Sequence, residues 1–192
     1  KELVKKRQNG QINDTLILAE HEPVYTLGKN ADKNHILQHL PKDVKTYHIE
    51  RGGDVTYHGP GQLVGYPILD LHNYKKSISW YMRALEQFII DTLAEFIVTA
   101  ERKDGLTGVW VGDEKIAALG VRVTRWITMH GFALNIKPDL TYYSSIIPCG
   151  IFEYGVTSMA RLLTDEVTVD SVKQVLIGKF MNQFRTAESM IG

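Results

Sequence analysis

"GVWVGDEKIAALGVRVTRWITMHGFALNI", residues 108–136, decides the fold. It divides into three apolar stretches, "GVWVG", "KIAALGVRVT" and "WITMHGFALNI", with glycine and charged residues as punctuation. That pattern predicts consecutive strands in an antiparallel meander. Upstream, the apolar positions Ile78, Tyr81, Met82, Leu85, Phe88, Ile89, Leu93 and Phe96 recur at helical spacing from Ser77 onward. Before that helix, "QLVGYPILDL" has the composition of a buried strand. "TLILAEH", "PVYTLG" and "TYHIE" are shorter strands, and "ELVKKRQN" is a helix stopped by Gly10. Downstream, a last helix starts near Asp170 with Val172, Val175, Leu176, Met181 and Phe184 on one side. No repeat or low-complexity linker interrupts the chain. The irregular alternation of strands and helices predicts an α/β protein of the α+β kind. Its sheet is mixed and largely antiparallel, with flanking helices, and it is not doubly wound.

Composition narrows the function. With 192 residues and 44% hydrophobic content, the chain can build one sizeable core, so a single domain over residues 1–192 is expected. Because it opens without Met on a segment that is already helical, a trimmed N-terminus is expected. Acidic and basic residues balance at 22 each, which removes any global field for nucleic acid or an anionic membrane. No apolar run approaches the roughly 20 residues of a membrane span, and the first residues lack a signal peptide's apolar core. A cytoplasmic protein is expected. The single cysteine, Cys149, forms no internal disulfide and is free for other work.

Three features carry chemistry. "RGGDVTYHGPGQLVGYP", residues 51–67, holds five glycines, which let a ligand approach the main chain closely. It matches neither nucleotide fingerprint, and glycine content alone suits a turn and a ligand cradle equally. Cys149 stands between Pro148 and Gly150, a setting that presents a sulfur, although lone cysteines are usually small buried hydrophobes. Lys115 opens an otherwise apolar stretch, where burial disfavours its charge and a neighbouring thiolate favours it. In isolation a surface lysine after the turn "GDE" is the commoner case. His35 and His39 are spaced for a shared metal, but no third ligand is evident and a solvated helical turn is expected.

Taken together, "EHEPVYTLGK", "RGGDVTYHGPGQLVGYP", "GVWVGDEKIAALGVRV", "HGFALNI" and "IIPCGI" resemble, in order and spacing, the octanoyltransferase family, also called lipoate-protein ligase B. The resemblance runs from about Glu2 to the "GVTSM" segment near Met159. Five motifs in register are specific where each alone is weak. The resemblance implies the biotin and lipoate protein ligase fold. It implies transfer of octanoyl from octanoyl-acyl carrier protein to a lysine of lipoyl domains, those of 2-oxoacid dehydrogenase E2 subunits and the glycine cleavage H protein. It implies a thioester on Cys149, with Lys115 lowering the pKa of that cysteine. Substrate contacts would come from Arg51, Gly52, Gly53, Asp54, Val55, Thr56, Tyr57 and His58. Further contacts would come from Ala118, Leu119 and Gly120, and from Gly131, Phe132 and Ala133. No cofactor and no metal is implied, nor a nucleic-acid or membrane partner, and a monomer is expected. Two departures stand out: Glu22 occupies a position where the family usually has proline, and the chain begins one strand later than most members.

The chemistry is coherent. Thioester exchange costs little free energy and amide formation is downhill, so no nucleotide need be hydrolysed. Lys115 would take the Cys149 proton and later help deprotonate the acceptor amine, with main-chain N–H groups near Leu119 and Gly120 as oxyanion donors. Two rivals remain. An ATP-dependent lipoate-protein ligase would need no cysteine, and a non-catalytic acyl- or lipoyl-domain-binding module would need neither Cys149 nor Lys115.

Overall fold

The three stretches of residues 108–136 form adjacent strands at the heart of the larger of two sheets. The structure, a computed structural model, describes residues 1–37, 40–41, 44–147 and 154–185. Its first half contains α1 (Glu2–Gln8), β1 (Thr15–Ala19), β2 (Val24–Leu27), β3 (Lys45–His48), β4 (Val55–His58), β5 (Gln62–Ile68) and α2 (Ile78–Ala94). The second half contains β6 (Glu101–Lys103), β7 (Leu106–Val111), β8 (Glu114–Thr124), β9 (Ile127–Asn135), β10 (Gly155–Val156), α3 (Met159–Leu162) and α4 (Val169–Gln183).

The larger sheet has the order β1-β5-β9-β8-β7-β6, antiparallel throughout, and β10 adds a short parallel pairing to β8. β8 and β9 are joined by Arg125 and Trp126, both at positive φ (51° and 65°). This is the mirror-image two-residue turn whose twist suits a hairpin. A second sheet, β3-β2-β4, pairs β2 parallel to β3 and antiparallel to β4. The fold is therefore mixed, largely antiparallel and helix-flanked, as the sequence pattern predicts, but its strands divide between two sheets. β4 lies inside the glycine-rich stretch, where only a loop is expected; β6, β10 and α3 are too short to leave a periodic signal.

Each face of the larger sheet has its own partner. On one side α2 and α4 pack with Leu63, Val109, Ile116, Ala117, Phe132 and Leu134 into the principal core. Ser77 caps α2 by accepting the Trp80 N–H, and Thr168 with Ser171 forms a reciprocal cap on α4. The buried positions of α4 are Val172, Leu176 and Phe180, with Phe184 following the helix. Met181, expected on that side, is 62% exposed, because a spacing of four from Val172 selects Phe180. The small sheet has a separate core of Tyr25, Val44, Val55, Tyr57 and Ile146, packed with Tyr142 and Tyr143. Among the described residues, no helix is long and apolar enough to cross a membrane.

Candidate active site

Alternation along the central strands decides what faces away from the helices. Leu63, Leu134 and Ala117 enter the principal core, so Val64, Ala133 and Ala118 point the other way. These three lie side by side across β5, β9 and β8, since Ala133 pairs with both Val64 and Ala118. They floor a cavity of about 380 Å³ whose wall is completed by Val24, Thr26, Val55, Thr56 and His58 of the small sheet. That volume lies within the roughly 300–1,000 Å³ of small-molecule pockets.

The glycine-rich stretch supplies the wall by crossing over β8. Gly52 N–H donates to the Val121 carbonyl at 3.0 Å, and a Cβ on Gly120 would sit 2.9 Å from the Gly52 carbonyl oxygen. Gly28 is closer still: its Cβ would fall 2.2 Å from the Gly53 carbonyl oxygen. Arg51 is 8% exposed and folded inward. Its guanidinium donates to the Thr26 carbonyl (2.7 Å), to Thr26 Oγ1 (3.0 Å) and to the Gly52 carbonyl (3.0 Å). Asp54 fastens the adjoining segment, accepting from the N–H groups of Val55 (2.7 Å) and Asp32 (3.2 Å) and pairing with His35. His35 is thus a half-buried partner of Asp54 and not a solvated residue, and His39 lies outside the described residues. Among the described residues, no group of three potential metal ligands is found.

Of the residues expected to contact substrate, Arg51, Gly53, Asp54, Val55, Thr56 and His58 line the cavity. So do Ala118, Leu119, Gly120, Gly131, Phe132 and Ala133. Gly52 and Tyr57 do not. Tyr57 points to the small core, where its ring stacks on Tyr142 at 4.6 Å, because β4 alternates sides. The cavity also takes in His21, Tyr66 and His130, which motif reading left without a role. His21 Nε2 and the Tyr66 hydroxyl are 2.5 Å apart, and burial lowers the pKa of His21. His130 sits at φ +62° within β9, a conformation that non-glycine residues rarely hold in a strand. Burial, aided by Arg51 and Arg122, keeps its pKa low as well.

Lys115 is buried at 7% exposure on β8, where Ile116 is an extra residue against β7 and breaks the alternation. Its Nζ lies 4.7 Å from the centroid of the Trp110 ring. Gly108 makes room for the lysine stem, since a Cβ there would sit 3.1 Å from Lys115 Cε. Cys149 lies outside the described residues. On one side of it Ile147 is buried, with its N–H donated to the His35 carbonyl at 2.8 Å. On the other, the Tyr154 ring meets Trp110 edge-on at 5.2 Å, and β10 then pairs with Glu114 and Lys115.

The two-sheet α+β fold has solved counterparts among lipoate protein ligases. The bipartite lipoate protein ligase of Thermoplasma acidophilum superposes with a TM-score of 0.71 at 16% identity, covering 94% of this chain and 75% of that one. At that identity the likeness shows the fold. Residues 1–181 match the lipoyl protein ligase A/B catalytic domain family. An octanoyltransferase from Gloeobacter violaceus is 53% identical over 171 residues, 89% of this chain and 76% of the relative. One from Cytophaga hutchinsonii is 51% identical over 174 residues, 84% of this chain and 70% of the relative. The chain belongs to the lipoyl protein ligase A/B catalytic domain family, and within it to the octanoyltransferases.

Proposed function

We propose that the chain is an acyltransferase of lipoate biosynthesis that moves octanoyl from acyl carrier protein to a lysine of a lipoyl domain. It works as one catalytic domain, as a monomer in the cytoplasm, without ATP. The observation that carries this reading is the apolar cavity lined by Arg51, residues 53–56, His58, residues 118–120 and residues 131–133, with Lys115 buried on β8. The octanoyltransferase relatives, at more than half identity, favour a transferase over a ligase.

In the first half-reaction Lys115 takes the thiol proton of Cys149, and the thiolate attacks the thioester carbonyl of octanoyl-acyl carrier protein. The carrier leaves as a thiolate and receives the proton back from Lys115. In the second, the acceptor lysine amine attacks the Cys149 thioester. An amide forms, the carbon–sulfur bond breaks, and Lys115 carries the amine proton to the departing sulfur. The cavity holds the alkyl chain, while main-chain N–H groups near Leu119 and Gly120 stabilise the oxyanion.

The test is to supply octanoyl-acyl carrier protein and an unmodified lipoyl domain with no nucleotide. A gain of one octanoyl group on the acceptor is expected. Modification that requires free acid and ATP would make the chain a ligase. Binding of either partner with no transfer would make it a binding module.

A further inference from the structure

Two side chains outside every expected contact, Gln62 and Asn135, are fully buried beside the cavity wall. Gln62 Nε2 lies 2.9 Å from Asn135 Oδ1 and 3.3 Å from the Tyr57 carbonyl oxygen. A carbonyl only accepts, so this end of Gln62 is its amide nitrogen and Oε1 is its other end. Oε1 lies 2.7 Å from His58 Nδ1 and can only accept, so Nδ1 carries a hydrogen. At the far side, Asn135 Nδ2 donates to the Thr157 carbonyl at 3.0 Å, and Thr157 N–H donates to the Lys115 carbonyl at 3.1 Å.

The opposite end of the chain is equally constrained. Arg51 only donates, and it donates to Thr26 Oγ1. The Thr26 hydroxyl hydrogen is then left to point at His58 Nε2, 3.4 Å away. Donors and acceptors thus run from Arg51 through Thr26, with His58 between two fixed neighbours, to Gln62, Asn135 and the strand of Lys115.

We infer that Gln62 and Asn135 are positioning residues that tie the cavity wall at His58 to the strand of Lys115. They hold His58 as a neutral Nδ1–H imidazole whose Nε2 is a hydrogen-bond acceptor and not a proton-transfer base. The charged and titratable groups facing His58 are Arg51 and His21, and both disfavour its protonation. Burial acts in the same direction and more strongly. The Thr26 contact at 3.4 Å is long, so an N–H donor in the cavity can displace it from the single Nε2 lone pair. On the acyl transfer proposed above, that donor is the attacking amine.

The state of His58 is tested on the full chain by ¹⁵N NMR of its side chain. A protonated Nδ1 and a bare Nε2 are expected at pH 7, unchanged at pH 5.5. An Nε2–H tautomer, or titration above pH 6, would overturn the assignment whether or not the chain transfers octanoyl. For the positioning role, Gln62→Glu keeps the shape but cannot donate to Asn135 or the Tyr57 carbonyl. Its carboxylate favours a protonated His58. Transfer should fall about tenfold at pH 7 and recover as pH rises and His58 loses its proton, whereas wild type shows no such limb. Asn135→Asp should slow transfer without introducing it. An unaltered rate and profile in Gln62→Glu would refute the positioning role, while absence of transfer by wild type would count against the proposed function instead.

Discussion

The Lys115 ammonium nitrogen lies 4.7 Å from the centroid of the Trp110 ring, and Tyr154 meets the same indole edge-on at 5.2 Å. One ring therefore holds the proposed proton acceptor and Tyr154, five positions beyond Cys149 in the sequence. Cation–π attraction contributes about 0.5–2 kcal/mol, depending on desolvation. Trp110→Leu should slow acylation of the protein by roughly 2- to 30-fold. Trp110 Nε1 is buried and, among the described residues, has no hydrogen-bond partner. Trp110→Phe therefore gives up no hydrogen bond to a described residue and keeps a ring face, so it should retain most of the rate. Single-turnover acylation of the two variants separates the ring from the mere presence of an apolar side chain.

Gly120 is the second probe. Its added Cβ would meet the Gly52 carbonyl oxygen at 2.9 Å and Arg51 Cδ at 3.1 Å, and neither can move without shifting the wall. Gly120→Ala should cost about 1–3 kcal/mol in stability, the usual range for overpacking. It should also weaken octanoyl binding, because residues 51–53 line or carry the wall. Urea denaturation and the KM for octanoyl-acyl carrier protein check the two halves.

Gly178 is the contrasting case. It lies inside α4, and a Cβ there meets nothing within 4 Å. Gly178→Ala should stabilise the protein by about 0.5–1 kcal/mol through helix propensity and leave transfer unchanged. A thermal melt and an activity assay on the same preparation suffice.

His58 couples stability to pH. Burial, first among the causes, pushes its pKa from 6.5 in an exposed setting down to about 4. The unfolded chain binds a proton at this residue as pH falls below about 6.5, while the folded chain does so only near 4. The favourable contribution is therefore complete above the unfolded value and is lost as pH falls through this window, by at most about 1.4 kcal/mol per pH unit. His58→Gln, which does not titrate, should show a shallower loss of stability between pH 7 and pH 5. Equal slopes for the two proteins would show that His58 does not carry the effect.

Much of this was legible in the sequence, for physical reasons that also explain the gaps. Apolar stretches punctuated by glycine and charged residues expose β8 and β9, and helical spacing exposes α2. The same spacing rule misassigned Met181 because two apolar residues, Phe180 and Met181, are adjacent and only packing chooses between them. The division into two sheets was hidden, since β2, β3 and β4 have four residues each and pair with one another across long separations. At the site, glycine density marks the wall, and the motifs name most of the residues that line it. Thr26, Gln62 and Asn135 stand inside those same motifs. Their importance comes from hydrogen bonds between residues up to 73 positions apart, which no local pattern encodes.

The central claim is that an octanoyl group passes through Cys149 with Lys115 as its proton partner. Intact mass of the protein after brief exposure to octanoyl-acyl carrier protein, with no nucleotide and no acceptor, tests it most directly. One octanoyl group should appear on wild type, be absent from Cys149→Ala, form more slowly on Lys115→Ala, and leave when a lipoyl domain is added. No adduct on wild type, or one that persists in Cys149→Ala, would contradict the account.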